Sequence, residues 1–455
     1  MPETPKKITG EVIISPAILT ETQKEIKNIS AFRKKIEAYL KKRVTEILEI
    51  ILGGAISLEA SDIHIEPKEE EAKIRARIDG ILQDVLLLNK KIYESLLSRI
   101  KLLSGIKLNI TDRPQDGRFS VLIGKAPVEI RASTLPAEHG ESIVLRVLNP
   151  KSLIDMEVLG LREDLLNIFN KEIKKPNGMI IVTGPTGSGK TTTLYAFLKK
   201  IQKPEIKIIT IEDPIEYHLK GITQTQVTAP KGGVKTTGLA ELMKAAYRTP
   251  TYYDFANGLR SIMRQDPDVI LVGEIRDLET ASIALQAALT GHLVFTTLHT
   301  NDAAGTVARL QALGEKPVNI APAINMAVAQ RLVRKVCKKC VKMEKAPHQI
   351  LEKIKKELKG IPKEVKIPKF GGELKIPKAV GCKSCNFTGF RGRVGIFETF
   401  LVGDEMEKFI LTSPSIAALR EKAIKEGMIT MYQDGILKVL EGITTIGEVE
   451  RVVGE

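Results

Sequence analysis

The run Gly184-Pro185-Thr186-Gly187-Ser188-Gly189-Lys190-Thr191 has the glycine spacing and the Lys-Thr ending of a phosphate-binding loop, the Walker A pattern. Glycines let backbone N–H groups close around phosphate oxygens at the start of a helix, where the dipole favours negative charge. In that chemistry residues Gly184 to Thr192 cradle ATP, Lys190 reaches the β- and γ-phosphates, and the Thr191 hydroxyl ligates Mg²⁺. The flanks agree: apolar Met179–Thr183 enters as a strand, and Thr192–Ile201 leaves as a helix. A chance match in a chain of this length is on the order of a per cent or two.

A nucleotide site also needs carboxylates and a γ-phosphate sensor. The segment Ile211-Glu212-Asp213-Pro214-Ile215-Glu216 puts carboxylates at the end of an apolar strand, where ligands sit in such sheets. A second apolar run, Val269–Val272, leads into Gly273-Glu274, which places Glu274 to hold the metal's water shell or polarise the attacking water. A third strand is bracketed by His292 and His299. Taken singly, a carboxylate here reads as a solvated turn and a histidine as a satisfied structural group. Their recurrence at strand ends after a phosphate loop makes Glu212, Glu216, Glu274, His292 and His299 the candidate catalytic set.

Four cysteines form two Cys-x-x-Cys pairs, Cys337/Cys340 and Cys382/Cys385, with 41 residues between the pairs. Four thiolates suffice for a closed tetrahedral Zn²⁺ site, structural because no coordination position stays open. A thioredoxin-like redox pair, or four unrelated thiols, are the alternatives. The redox pair lacks its usual surroundings here, so zinc leads.

The elements that must position these groups follow from periodicity. Residues 1–20 show no period and read as loose. From about Thr20 to Ile56 apolar residues recur at helical spacing, one or two amphipathic helices with Gly53-Gly54 as a break. Residues 61–148 read as strands around one helix: Ile74, Ala76 and Ile78 alternate with Arg75 and Arg77 before an Asp79-Gly80 hairpin turn, and Leu96–Leu103 is helical up to Gly105. After a linker at Asn149-Pro150-Lys151-Ser152, short apolar strands alternate with helices, the pattern of a buried parallel sheet. Pro- and Lys-rich sequence then runs from Cys337 to Lys378, and helical segments end the chain. The organisation expected is an N-terminal arm and amphipathic helix at 1–56, an α+β lobe at 57–149, a P-loop ATPase core at 150–336, a tetracysteine zinc subdomain at 337–398 and helices at 399–455.

The chain has 455 residues, 43% hydrophobic, which excludes gross disorder and leaves room for two or three cores. No apolar run approaches the ~18–20 residues of a bilayer span, and the start lacks the apolar core of a secretory signal. A cytoplasmic protein is expected.

Several segments carry a resemblance: "ASDIHIEP" at 60–67, "RPQDGR" at 113–118, "STLPAEHGESIVLRVL" at 133–148, "VTGPTGSGKTTTLY" at 182–195, "TIEDPIEY" at 210–217, "GLRSIMRQDPDVILVGEIRD" at 258–277 and "TGHLVFTTLHTNDA" at 290–303. Over roughly residues 45–453 the chain resembles the ATPases of type IV pilus assembly and type II secretion. The resemblance implies a RecA-like P-loop C-terminal lobe, an α+β N-terminal lobe and a homohexamer hydrolysing ATP at the inner face of the plasma membrane, beneath a platform protein of that membrane. It also implies that some N-lobe arginines reach a nucleotide across a subunit boundary, with Arg118, Arg131 and Arg146 as the candidates and Arg75, Arg77 and Arg113 beside them. "GCKSCNFTGFRGRVGIFE" at 381–398 looks like the second half of the tetracysteine subdomain of assembly and secretion ATPases. Three features depart from or qualify the pattern. Gly273 stands where many P-loop enzymes have Asp, as it does throughout the family. Residues 228–254 form an insert that most relatives lack. Only ~45 residues precede the matching region, where many relatives carry a docking domain.

The net charge of +14 allows a second class, a nucleic-acid translocase or scaffold. Against it stand 4% aromatics, no Trp and no stacking motif among the basic residues. The charge is also local: residues 331–380 hold 16 Lys/Arg and 5 acidic residues, and residues 1–45 hold 10 and 5, so the remaining body is near neutral. An anionic membrane face or an acidic partner suits that segment, Lys353, Lys355 and Lys356 included, better than nucleic acid does.

Overall fold

A computed structural model describes residues 10–123, 126–149, 154–228, 253–368 and 373–454. The chain divides into two compact units. The first comprises residues 1–152, 334–343 and 377–393; the second comprises 153–333, 344–376 and 394–455. Most of the 228–254 insert lies outside the described residues, but its ends meet: the Thr228 N–H donates to the Tyr253 carbonyl at 2.9 Å.

The first unit begins with β1 (Glu11–Ile13), α1 (Pro16–Glu25), α2 (Ile29–Tyr39) and α3 (Val44–Ser57), followed by β2 (Asp62–Pro67), β3 (Glu71–Ile78) and β4 (Ile81–Asn89). It continues through α4 (Lys90–Ser104), β5 (Gln115–Ile123), β6 (Ala126–Ala137) and β7 (Gly140–Leu148). Side-chain caps start three of the helices: Asn28 accepts from the Ala31 N–H, Asn89 from Ile92 and Ser15 from Ile18. Seven strands form one sheet in the order β1-β5-β6-β7-β2-β3-β4. It is antiparallel except where β1 runs parallel to β5. Residues 11–13 are therefore not loose; they join the sheet edge and bury Val12.

The glycine pair also differs from its expected role. Gly53 and Gly54 sit inside α3, and three helices occupy the region. A Cβ on Gly54 would land on the ring of fully buried Phe32 of α2, so the glycine serves close helix packing and does not break the helix. One ion pair is sealed in this unit: Lys101 Nζ lies 2.6 Å from Glu141 Oε2, with both side chains at most 4% exposed.

The second unit is a doubly covered sheet. Its elements are α5 (Glu163–Glu172), β8 (Gly178–Thr183), α6 (Lys190–Ile201), β9 (Ile208–Glu212), β10 (Thr223–Gln226), α7 (Phe255–Met263), β11 (Val269–Val272), α8 (Leu278–Leu289), β12 (Leu293–Leu298), α9 (Gly305–Leu313) and β13 (Ile324–Val336). Strand β14 (Lys342–Lys345), α10 (His348–Leu358), β15 (Lys375–Lys378) and β16 (Phe390–Leu401) follow, then α11 (Asp404–Leu411), α12 (Ile416–Lys425), α13 (Met431–Leu440) and α14 (Ile446–Val453). The sheet order is β10-β9-β11-β12-β8-β13-β16, with β10 through β13 all parallel. Alternation assigns each strand residue to a face: Met179 and Ile181 pack towards α7, α8 and α9, while Ile180 and Val182 pack towards α5 and α6. Burial on both faces is why the strands read as continuous apolar runs. Among the C-terminal helices, Leu351 and Ile354 of α10 share a cluster with Tyr432, Ile436 and Val449. Sequence reading did not anticipate α10, whereas α14 falls within the helical C-terminal segment expected at 399–455. Among the described residues no helix is long and apolar enough to cross a membrane.

The Gly54–Phe32 contact gives a test. Gly54→Ala should destabilise the protein by about 1–3 kcal/mol through overpacking, read as a lower urea midpoint of the first unit. Phe32→Leu in the same chain should recover part of that loss, a coupling that distant sites do not show.

Candidate active site

Strand β8 is buried over its whole length and delivers the chain to Gly184. The loop turns through positive φ at Gly184 (146°), Gly187 (80°) and Gly189 (91°) before α6 begins at Lys190. Gly189 is the N-cap and offers no capping oxygen, so first-turn N–H groups stay available to an anion. A Cβ on Gly184 would collide with the Gln330 carbonyl of β13. Ser188 is buried, and its Oγ has no hydrogen-bond partner. An orphaned buried hydroxyl inside a glycine cradle matches the acceptor oxygens of a phosphate chain. Thr191 and Thr192 occupy the first turn of α6, both half-buried.

Lys190 Nζ donates to the Gly184 carbonyl at 2.7 Å and the Pro185 carbonyl at 3.2 Å. Burial lowers its pKa, while the nearby Glu274 and Glu216 carboxylates act in the opposite sense. Glu274 stands just past β11 with its side chain 13% exposed; Arg276 Nη2 lies 2.5 Å from Oε1 and His299 Nε2 lies 3.3 Å from Oε2. The loops carrying these groups are tied together by threonines. The Thr300 N–H donates to Thr183 Oγ1 at 2.8 Å, and the Thr297 hydroxyl donates to the Gly273 carbonyl at 2.7 Å. Lys190, Glu216, Glu274 and His299 therefore belong to one end of the sheet.

Two expected members behave differently. Glu212, 4% exposed, accepts from the Tyr195 hydroxyl, from Thr210 Oγ1 at 2.5 Å and from Gln224 Nε2 at 3.2 Å. Burial raises its pKa against those three donors. It is a braced internal carboxyl that sets the end of β9. His292 is not brought to the loop at all. It precedes β12, at the sheet edge where its carbonyl accepts from Gly178 at the start of β8, and its Nδ1 lies 3.1 Å from the Ala287 carbonyl at the end of α8. Parallel strands carry their starts and ends to opposite edges, which separates His292 from His299 by the length of β12. Sequence reading missed Tyr195, Gln224 and Gln330. Only Gln330 left a signal, as an amide that follows the apolar run Met326–Ala329 in β13; it accepts from the Thr193 hydroxyl at 2.7 Å.

In the first unit the candidate arginines form a row. Arg118 of β5 is paired in register with Arg131 of β6, Arg131 with Arg146 of β7, Arg146 with Asp62 of β2, and Asp62 with Arg77 of β3. Cross-strand partners share a face. Asp62, with a side chain 9% exposed, takes Arg146 at 3.0 Å and Arg77 at 3.4 Å. Arg75 pairs with Glu66. Arg118 is 57% exposed and has Glu129 no closer than 3.8 Å. Arg113 is exposed between α4 and β5.

The four cysteines also converge, their sulfurs all within 4.8 Å of one another. Cys337–Cys382 is 4.0 Å, and Cys340–Cys385 and Cys382–Cys385 are each 3.8 Å. Tetrahedral Zn–S bonds of about 2.3 Å require sulfurs roughly 3.8 Å apart. The Gly389 N–H donates to Cys385 Sγ at 3.3 Å and the Cys382 N–H at 3.2 Å, bonds that suit a thiolate ligand.

The family described as "Type II/IV secretion system protein" matches residues 37–451. "Type II secretion system ATPase E" of Vibrio cholerae is 43% identical over 415 residues, which cover 90% of this chain and 76% of that protein. "Type IV pilus assembly ATPase PilB" of Myxococcus xanthus is 38% identical over 431 residues, 94% of this chain and 70% of that protein. Among solved structures, the Legionella pneumophila ATPase DotB aligns with a TM-score of 0.61 at 23% identity, covering 89% of this chain and 94% of that one. That last likeness is one of fold.

The braced carboxyl has a pH signature. Its folded pKa lies above the unfolded value of 4.5, so the folded protein holds this proton to higher pH. The stabilising contribution is complete below the unfolded pKa and is lost as pH rises through the folded one. Glu212→Gln removes that titration. The unfolding temperature of the variant relative to the parent should therefore climb between about pH 4 and pH 7; parallel curves would show that Glu212 is not buried as described.

Proposed function

Since the chain belongs to the Type II/IV secretion system protein family and is an ATPase, we propose that it powers type IV pilus assembly or extension of a type II secretion pseudopilus. In this proposal it works as a cytoplasmic homohexamer against an inner-membrane platform protein. What carries the reading is the convergence of Lys190, Glu216, Glu274 and His299 at the sheet end that bears the glycine cradle and the orphaned Ser188 hydroxyl.

The α6 N-terminus and the Lys190 ammonium bind the β- and γ-phosphates. The Thr191 hydroxyl holds Mg²⁺, with no Asp at position 273 to assist. When bound, magnesium neutralises charge shared by the β- and γ-phosphate oxygens. Glu274 accepts a hydrogen bond from the attacking water and turns its oxygen towards the γ-phosphorus. That oxygen bonds to phosphorus as the bond to the β–γ bridging oxygen breaks, ADP leaves with that electron pair, and Glu274 takes up the water's proton and passes it to the departing phosphate. Arg276 and His299 fix the rotamer of the Glu274 carboxylate, which makes them positioning residues. Within the arginine row, Arg118 is the cation assigned to answer a γ-phosphate of a neighbouring subunit, because its side chain is 57% exposed and its ion pair with Glu129 is long, at 3.8 Å. Release of phosphate removes contacts that only the γ-group makes, and the lobes reset. The cysteine knuckle holds structural zinc.

Three measurements test this. Lys190→Ala and Glu274→Gln should each nearly abolish ATP turnover while the circular dichroism spectrum is unchanged; substantial turnover in both would refute the assignment. Arg118→Ala should lower turnover at least about tenfold at protein concentrations where the ring assembles. Metal analysis should return one zinc per chain, and Cys340→Ser with Cys385→Ser should lose it together with the thermal stability of the first unit.

A further inference from the structure

The positive charge of residues 331–380 is unevenly distributed. In 344–376, nine lysines share the segment with five glutamates, and several are engaged. Lys353 lies 2.9 Å from Glu450 and over the Tyr432 ring, Lys355 lies 2.8 Å from Glu352, and Lys366 lies 2.5 Å from Glu163. The cysteine knuckle has a different composition. Segments 334–343 and 377–393, both in the first unit, carry nine Lys or Arg and no Asp or Glu. Lys338, Lys339 and Lys383 fill positions inside the two Cys-x-x-Cys turns, and all three are exposed. The sulfur contacts hold both turns together, so the three lysines belong to one knuckle.

The same knuckle exposes an aromatic ring. Phe387 is 69% exposed and has φ of +60°, directly after Asn386 at +52°. Bulky side chains rarely adopt that backbone region, and such conformers persist where the surroundings impose them. Here the surroundings are identifiable. Asn386 Oδ1 accepts from the Ile29 N–H at 2.7 Å, and the Phe387 N–H donates to the Cys382 carbonyl at 2.9 Å. Gly381 packs so tightly that a Cβ there would sit 2.5 Å from the Phe387 carbonyl, which brings Val380, 49% exposed, alongside. The Gly392 N–H donates to Asp79 Oδ2 at 2.8 Å and pins the other side of the knuckle to the β3–β4 turn. The result is a clamped, exposed apolar residue on the same knuckle as the three lysines.

We propose that this knuckle docks on an anionic lipid surface: Phe387 and Val380 enter the headgroup layer, and Lys338, Lys339 and Lys383 meet lipid phosphates. An unbroken run of cations has no opposite charge to fix the register of a protein partner, whereas a lipid surface responds to the summed charge. An aromatic residue at headgroup depth adds the second signal that stable peripheral binding needs. The proposal rests on the reading that the chain works at an inner-membrane face, and the test separates the two.

The full chain is co-sedimented with vesicles of phosphatidylcholine alone and of an equal mixture with phosphatidylglycerol. Binding is expected only to the mixed vesicles and should weaken with added salt. Phe387→Ser should lower the binding constant roughly fivefold to tenfold. Lys338→Ala and Lys383→Ala should each lower it about fivefold, with ATP turnover and zinc content unchanged in all three. Equal binding to both vesicle types, or undiminished binding by Phe387→Ser, overturns the proposal while intact turnover leaves the motor reading standing. Capture of poly-glutamate without vesicle binding overturns it too, and assigns the knuckle to an acidic protein.

Discussion

The candidate site depends on one constraint, the common direction and register of β9, β11, β12, β8 and β13. Ile211 is opposite Val272, Val272 opposite Thr296, and Leu298 opposite Thr183. Each strand therefore releases its chain at the same edge, into Glu212, Gly273-Glu274, His299 and the phosphate loop. Both faces are covered by helices, so the strand interiors must be apolar and the chemistry is confined to the ends. Two buried hydroxyls inside the sheet act as fasteners: Thr183 and Thr297 each bind backbone of a neighbouring loop. A lost fastener would loosen the loops relative to one another while the strands stayed in place.

The antiparallel sheet of the first unit solves a different electrostatic problem. Three arginines placed opposite one another on adjacent strands repel. The row is tolerated because Asp62 sits at its β2 position and takes two of its cations, Arg146 and Arg77. Asp62 thus divides the row: it engages the arginines on either side of it, and Arg118, three strands away, is left with Glu129 at 3.8 Å. This division follows from strand order, which no local sequence pattern encodes.

Legibility in the sequence followed the range of the interactions involved. The strand–loop–helix around Lys190, the helix stop at Gly105 and the Asp79-Gly80 turn are local and were readable. The cysteine spacing was readable as a set of four, and the sulfurs do converge. Features that depend on distant partners were not. Gly53-Gly54 looks like a break until Phe32 is seen against it. His292 and His299 look equivalent in a strand-flanking pattern, yet a parallel sheet sends them to opposite edges. Glu212 looks from its strand-end position like an open carboxylate, yet Tyr195, Thr210 and Gln224 occupy three of its acceptor sites. Residues 11–13 have no period because a three-residue edge strand is too short to show one.

Gly273 links packing to chemistry at the second strand end. A Cβ there would lie 3.2 Å from the Ile211 carbonyl and 3.3 Å from the Glu212 Cα, so a side chain would require the end of β9 to give slightly. The close approach is already used: the Gly273 N–H donates to the Ile211 carbonyl at 2.8 Å, and its own carbonyl accepts from Thr297. An aspartate at 273 would add a second carboxylate beside Glu274 and crowd this junction. The packing thus favours a single, well-braced carboxylate, with Arg276 and His299 against its two oxygens. Fewer anions near the phosphates means less charge for cations to offset, yet the triphosphate itself still exceeds what Lys190 alone can balance. In the proposed assembly that shortfall is the physical reason for an arginine such as Arg118 to arrive from outside the phosphate-loop unit.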